Sequence, residues 1–190
     1  MYIPDDSVPI EYNQFFLPKP VADAAFIHLV NTLDWVHKDP LVPRREYYVH
    51  DGGLDYTYGT GQFARTYQSQ APDPVITMIR RLLLADLGVD FDVVFLNIYD
   101  HQHHHLGWHP DDSPTMSPNH PIVTVSLGEE RDIKIRPIAD KQDVTTKRLH
   151  HGSACVMLPG MQQTHHHRIP KHDRECGARA SLTFRKFVYL

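Results

Sequence analysis

Cysteine is scarce in this chain. Cys155 and Cys176 are the only two in 190 residues. They are too few for a disulfide framework and lack a C-x-x-C spacing, which excludes a stapled secreted scaffold and argues against a thiolate zinc site. Long apolar runs are missing as well, and nothing approaches the length of a membrane span. The opening "MYIPDDSVPI" has neither a basic n-region nor an apolar h-region, so a cytoplasmic protein (or a nuclear one, if the source is eukaryotic) is expected. No internal repeat or low-complexity linker divides the sequence. What is present is ordinary: 41% hydrophobic and 22% charged residues, the composition of one globular domain spanning 1–190, long enough to bury a core without staples.

The net charge of −4 hides an asymmetry. Residues 1–130 carry 7 Lys and Arg against 18 Asp and Glu, whereas residues 131–190 carry 12 against 5. A basic C-terminal third can present a positive face to a polyanion, although a solvated dipolar surface has the same composition.

Periodicity divides the chain. From Val21 to His37 the residues Ala22, Ala25, Phe26, Leu29, Leu33 and Val36 share one side at helical spacing. Asp73-Pro74 reads as an N-cap followed by proline at the first helical position, Ile76, Ile79 and Leu83 form a stripe, and Gly88 is a stop. Both helices are expected to pack and do no more. After Gly88 the period becomes two. Strands are expected at 91–99, 121–128, 131–137, 153–160 and 179–190, between loops of Gly, Pro, Asp and His. The order predicts an α+β fold, with a strand-built barrel or jelly roll over 89–190 backed by two helices. Residues 1–39 form an N-terminal segment and helix. Residues 40–67, rich in Tyr, Gly and Arg, read as an aromatic flap or hairpin.

The stretch "LGWHPDDS" (106–113) places His109 two residues before Asp111. With 15 His in the chain, chance supplies such pairs, and His37 with Asp39 is another, but that one lies at a helix end before Pro40. On a strand, positions i and i+2 share a face, so His109 and Asp111 can offer an imidazole and a carboxylate to one ion. A facial triad with open positions needs one more histidine, from His120, His150, His151, His165, His166, His167 or His172. The last strand adds a second constellation. In "RASLTFR", Arg179, Ser181, Thr183 and Arg185 face one way, and Ala180, Leu182 and Phe184 the other. Two inward arginines need an anionic answer, and a dicarboxylic acid is the expected one. Upstream, Asn97 and Tyr99 share a face at the same period. The alternative is an edge strand with a solvated polar face.

H-x-D, a later histidine and R-x-x-x-x-x-R together resemble the Fe(II)/2-oxoglutarate dioxygenases, specifically the AlkB-like nucleic-acid dealkylases. "NIY" ahead of His109, "HPDD", "PIVTVSLGEERDIKIR", "HRIPK" (167–171) and "RASLTFRKF" are each similar to family segments, and "VPRREYYVHDGGLDYTYG" (42–59) looks like the flap over a flipped base. The resemblance runs from about residue 40 to the end. It implies a double-stranded β-helix in which His109, Asp111 and His167 hold Fe(II), and it selects His167 among the candidates. It further implies that Arg179 grips the distal carboxylate of 2-oxoglutarate and Arg185 the one near the metal, assisted by Asn97, Tyr99 and Ser181, with dioxygen as oxidant. Tyr58 with Tyr56 would stack on the base, Asp112 would hold its edge or a nearby arginine, and Arg44 would sit over the substrate or its phosphate. Lys134, Lys147, Arg148, Arg168 and Lys171 are candidate phosphate contacts. Two positions depart from the family: Ser113 replaces an acidic residue that helps hold the base, and Ser181 replaces an Asn.

The chemistry so implied is oxidative dealkylation of bases such as 1-methyladenine or 3-methylcytosine in DNA or RNA, coupled to decarboxylation of 2-oxoglutarate to succinate. A base inside a duplex cannot reach such a centre, so a single-stranded substrate or a flipped base is expected. The default assembly is a monomer, with no membrane partner. A hydroxylase of a protein side chain or modified base on the same scaffold is the alternative within the enzymes. A binding module without turnover is the alternative outside them.

Overall fold

The computed structural model describes residues 1–36, 44–58 and 64–188. His37 and Asp39, and the parts of the expected flap at 40–43 and 59–63, lie outside the described residues. In chain order the elements are β1 (Ile3–Pro4), β2 (Ile10–Asn13), α1 (Lys19–Thr32), β3 (Arg45–His50), β4 (Tyr56–Tyr58), β5 (Arg65–Tyr67), α2 (Pro74–Leu87), β6 (Val93–Tyr99), β7 (Leu106–His109), β8 (Ile122–Gly128), β9 (Arg131–Pro137), β10 (Thr145–Leu149), β11 (Ser153–Met157), α3 (Met161–Thr164), β12 (His165–Ile169) and β13 (Arg179–Arg185). They form a seven-stranded sheet ordered β1-β2-β11-β8-β13-β6-β3, a four-stranded sheet ordered β10-β9-β12-β7, and the small hairpin β4-β5. The pairings are antiparallel.

The seven-stranded sheet is covered on both faces, and its alternation says how. Val94, Leu96, Val123, Val125, Leu127, Ala180, Leu182 and Phe184 pack against Ala22, Ala25 and Leu29 of α1 and Ile76, Ile79 and Leu83 of α2. The opposite face meets the smaller sheet. There Ile10, Tyr12, Ile122, Cys155 and Met157 join Ile133, Ile135, Leu149 and Ile169 in a second core. This is the jelly-roll sandwich with helical backing that the sequence leads one to expect. No helix among the described residues is long and apolar enough to cross a membrane.

The second helix keeps both its signals. The Asp73 side chain accepts from the Val75 and Ile76 N–H groups, and Gly88 closes the other end at φ 69°, a left-handed cap that glycine takes without Cβ strain. The first helix is shorter than its periodicity suggests. It ends at Thr32, Leu33 is extended, and Val36 instead pairs with Glu46 on β3. Pairing with the sheet edge overrides the helical stripe. Residues 45–50, read in the sequence as part of the flap, form β3, the edge strand of the large sheet, and five of its six residues are buried.

Leu182 is fully buried between the helices and the sheet. Replacing it with Ala should destabilise the fold by about 2–5 kcal/mol in urea titration. A loss below about 1 kcal/mol would show that this interface is not the main core.

Candidate metal centre

His109 ends β7 and His167 lies mid-way along β12; they are direct cross-strand partners, with ring centroids 4.3 Å apart. Asp111 sits two residues beyond the end of β7, not on the strand. Its place is set by other bonds: Gln162 Oε1 accepts its backbone N–H at 2.9 Å. Potential ligand atoms of His109, Asp111 and His167 lie within 4.8 Å of one another, a group that could hold a metal ion. His109 Nδ1 lies 2.8 Å from the Gly107 carbonyl. Donation there fixes the tautomer and leaves Nε2 as a lone pair toward Asp111, whose Oδ1 is 3.9 Å away. His167 is buried, and its Nδ1 has no hydrogen-bond partner. The donor set, two imidazoles and one carboxylate, suits Fe(II) with open positions.

The electrostatics hold these groups ready. Burial alone would push the Asp111 carboxyl up, but Arg185 at 2.7 Å, with His167 and His109, outweighs it and holds the acid well below the usual carboxylate range. Burial, reinforced by neighbouring His109 and Arg185, pushes His167 down to about 3, so it is a neutral imidazole at ordinary pH.

Strand β13 supplies the rest. Its register on β6 sets Arg179 opposite Tyr99 and Ser181 opposite Asn97. Arg179 is completely buried. Its Nε donates to Ser126 Oγ at 2.9 Å and its guanidinium lies 5.4 Å from the Tyr99 ring centroid, yet Nη1 and Nη2 have no partner. Burial lowers its pKa to about 10. Asn97 Oδ1 accepts from Arg44 Nε at 2.7 Å, and Arg44 is also paired with buried Glu46 at 2.8 Å. Arg44 is therefore turned toward the Asn97 row.

The aromatic stretch divides in two. Tyr56 is 6% exposed and packs with Tyr48, Tyr67, Phe95 and Phe187, whereas Tyr58 is 45% exposed. Ser113 is buried beside the Tyr56 hydroxyl, and Asp112 is exposed. On the outer face of the smaller sheet, Lys134, Arg148, Arg168 and Lys171 line one cleft of about 620 Å³. Lys147 is not among them: it pairs with Asp5 at 3.6 Å. Gln162, Ser126, Glu46 and Arg131 carry no motif signal. Only the fold brings them to the site, although Arg131 does sit in the inward period of β9.

A family model of the 2OG-Fe(II) oxygenase superfamily matches residues 13–185. The chain belongs to that superfamily. Its relatives include the DNA oxidative demethylase ALKBH2 of Mus musculus, 30% identical over an alignment of 154 residues that covers 77% of this chain and 63% of that protein, so the chain spans less than two thirds of its length. This is the AlkB-like group that the motifs lead one to expect. Among solved structures, "The structure of OsALKBH1" aligns with a TM-score of 0.67 at 13% identity, covering 98% of this chain and all of that one. A Pseudomonas putida prolyl-4-hydroxylase aligns at 0.57 and 12% identity, covering 95% and 94%. At these identities the two structures establish the fold alone.

An unfolded histidine protonates near 6.5, whereas His167 stays neutral down to about 3. The unfolded chain therefore takes up the proton first, and the stability that neutral His167 contributes is complete above about pH 6.5 and lost as pH falls below it. Asp111, held low, acts in the same direction at lower pH. The urea midpoint of metal-free protein should fall between about pH 7 and about pH 5, less steeply in His167→Gln. Equal slopes would contradict this ionisation state.

Proposed function

We propose that this chain is an iron- and 2-oxoglutarate-dependent dealkylase of N-methylated bases, of the 1-methyladenine and 3-methylcytosine type, in DNA or RNA. The observation that carries the reading is the pairing of a His-Asp-His group with buried Arg179, on β13 of the other sheet, whose Nη1 and Nη2 have no partner. Two imidazoles and a carboxylate suit Fe(II), and a cation with two free Nη groups in the core calls for a carboxylate ligand.

His109, Asp111 and His167 hold the metal. Arg185 keeps Asp111 ionised and faces the ligand carboxylate nearest it; Arg179 takes the distal one, with Tyr99 alongside. Ser181 and Asn97 form the next row, and Arg44 orients the Asn97 amide. When bound, Fe(II) with 2-oxoglutarate and dioxygen would supply the oxidising power that hydroxylates an N-alkyl carbon, which then leaves as an aldehyde, while 2-oxoglutarate takes the other oxygen atom and is converted to succinate and carbon dioxide. The chain's own part is to orient the reactants and keep water out. Exposed Tyr58 offers a stacking face for a flipped or single-stranded base, while buried Tyr56 fixes the hairpin that carries it. Asp112 is free to reach the base edge. The outer cleft offers Lys134, Arg168 and Lys171 to phosphates. The relative's demethylase activity on DNA supports this substrate class over a protein side chain.

The test is mass spectrometry of short methylated DNA and RNA oligonucleotides incubated with protein, Fe(II), ascorbate and 2-oxoglutarate. Loss of a methyl group, dependent on iron and cosubstrate, is expected. Asp111→Ala should abolish it, and Arg179→Ala should chiefly raise the 2-oxoglutarate requirement. Tyr58→Ala should weaken oligonucleotide use by about 1–3 kcal/mol, the scale of one stacked base. Succinate formation with no change in any oligonucleotide would place the substrate outside nucleic acid.

A further inference from the structure

Strand β9 carries an arginine where an apolar residue would be expected. Its inward residues are Arg131, Ile133 and Ile135; the two isoleucines belong to the second core, and Arg131 is only 1% exposed. Its Nη2 donates to the His104 carbonyl at 3.0 Å and the Pro170 carbonyl at 2.5 Å, which ties the loop before β7 to the segment after β12. Those bonds use one end of the guanidinium. Nη1 is buried without a partner, and among the described residues no carboxylate forms an ion pair with Arg131 or Arg179. The Arg131 guanidinium lies 5.8 Å from the Tyr99 ring centroid, and that of Arg179 lies 5.4 Å from the same ring. Two buried cations thus lie beside one phenol, and three of their Nη atoms have no hydrogen-bond partner. Leaving such charges uncompensated in a core is strongly unfavourable, and an anion between them relieves it. Arg131 also lines the outer cleft, but Nη1 has essentially no solvent exposure, so an ion in that cleft cannot satisfy it.

We propose that Arg131 is a second cation of the cosubstrate socket, sharing with Arg179 the far carboxylate of a dicarboxylic 2-oxo acid. The inference rests on the 2-oxoglutarate reading above and extends it: the pocket discriminates by charge at the end of the ligand remote from the metal, and residues on both sheets do the discriminating. Arg185, already paired with Asp111, serves the other end.

The experiment compares two ligands by calorimetry, with manganese(II) as the metal. One is 2-oxoglutarate; the other is 2-oxovalerate, of the same chain length but ending in a methyl group. Wild-type protein should prefer the dicarboxylate. Arg131→Gln should reduce the ratio of the two affinities by about tenfold or more, the scale of one charge-assisted contact, by weakening 2-oxoglutarate and leaving 2-oxovalerate nearly unchanged. Arg131→Lys, which keeps the charge without the fork, should fall between. A purely structural role would weaken both acids together and leave the ratio intact, and that result overturns the proposal, as does no change in either affinity. Should Arg131→Gln not fold, an undiminished ratio in Arg131→Lys overturns it equally. Wild-type protein that binds neither acid, or both alike, contradicts the cosubstrate reading itself, and the proposal falls with it.

Discussion

The constraint on which the rest depends is the alternation along β13. Every one of its residues is buried, yet only every second one is apolar. Ala180, Leu182 and Phe184 are sealed under the helices, so Arg179, Ser181, Thr183 and Arg185 must enter the space between the sheets. A one-residue slip in register would put the arginines under the helices and the leucine in the socket. Pairing with both β6 and β8 along almost the whole strand prevents it. Arg185 finds Asp111, Arg179 finds Ser126 and Tyr99, and Nη1 and Nη2 of Arg179 are left without a partner.

The metal group depends on the second sheet in the same manner. His109 and His167 meet because β7 and β12 are antiparallel neighbours, with a register irregularity just beyond the pair. Asp111 lies past the strand end, where alternation no longer governs. The following segment is fixed by Ser117 N–H donating to the Lys186 carbonyl and Val188 N–H to the Thr115 carbonyl, which anchors it along the chain leaving β13. The carboxylate and the arginine that holds it ionised are thus placed by one piece of local pairing.

Much of this was legible in the sequence, for reasons specific to each element. Asp73-Pro74 and Gly88 bracket α2 because capping is local chemistry that does not need the fold. Strands β6, β8, β9, β11 and β13 announced themselves through short apolar runs or two-residue alternation between turn residues. Strands β10 ("TTKRL") and β12 ("HHHRI") did not, since each has one face on a core and the other in solvent, with short polar sequences. Strand β3 was hidden inside a tyrosine-rich stretch that reads like a flap. Spacing found His109 with Asp111 and the two arginines of β13, whereas His167 needed the resemblance to single it out among its neighbours. Arg131, Gln162 and Glu46 were beyond reach, because their importance lies in individual polar contacts with backbone and side chains that no spacing encodes. The two tyrosines of β4 differ in a way that alternation could not weigh: one is sealed by Tyr67 and Phe187, the other left open.

The visible charge-transfer absorption of anaerobic protein loaded with Fe(II), followed as 2-oxoglutarate is added, reports directly on whether metal and cosubstrate share one site. A new band should appear, saturate with one ligand per chain and be lost in Asp111→Ala. That band should also shift when a methylated oligonucleotide binds, because the base approaches the metal. Fe(II)-loaded protein that shows no band at saturating 2-oxoglutarate would contradict the claim that these strands build one metal and cosubstrate site.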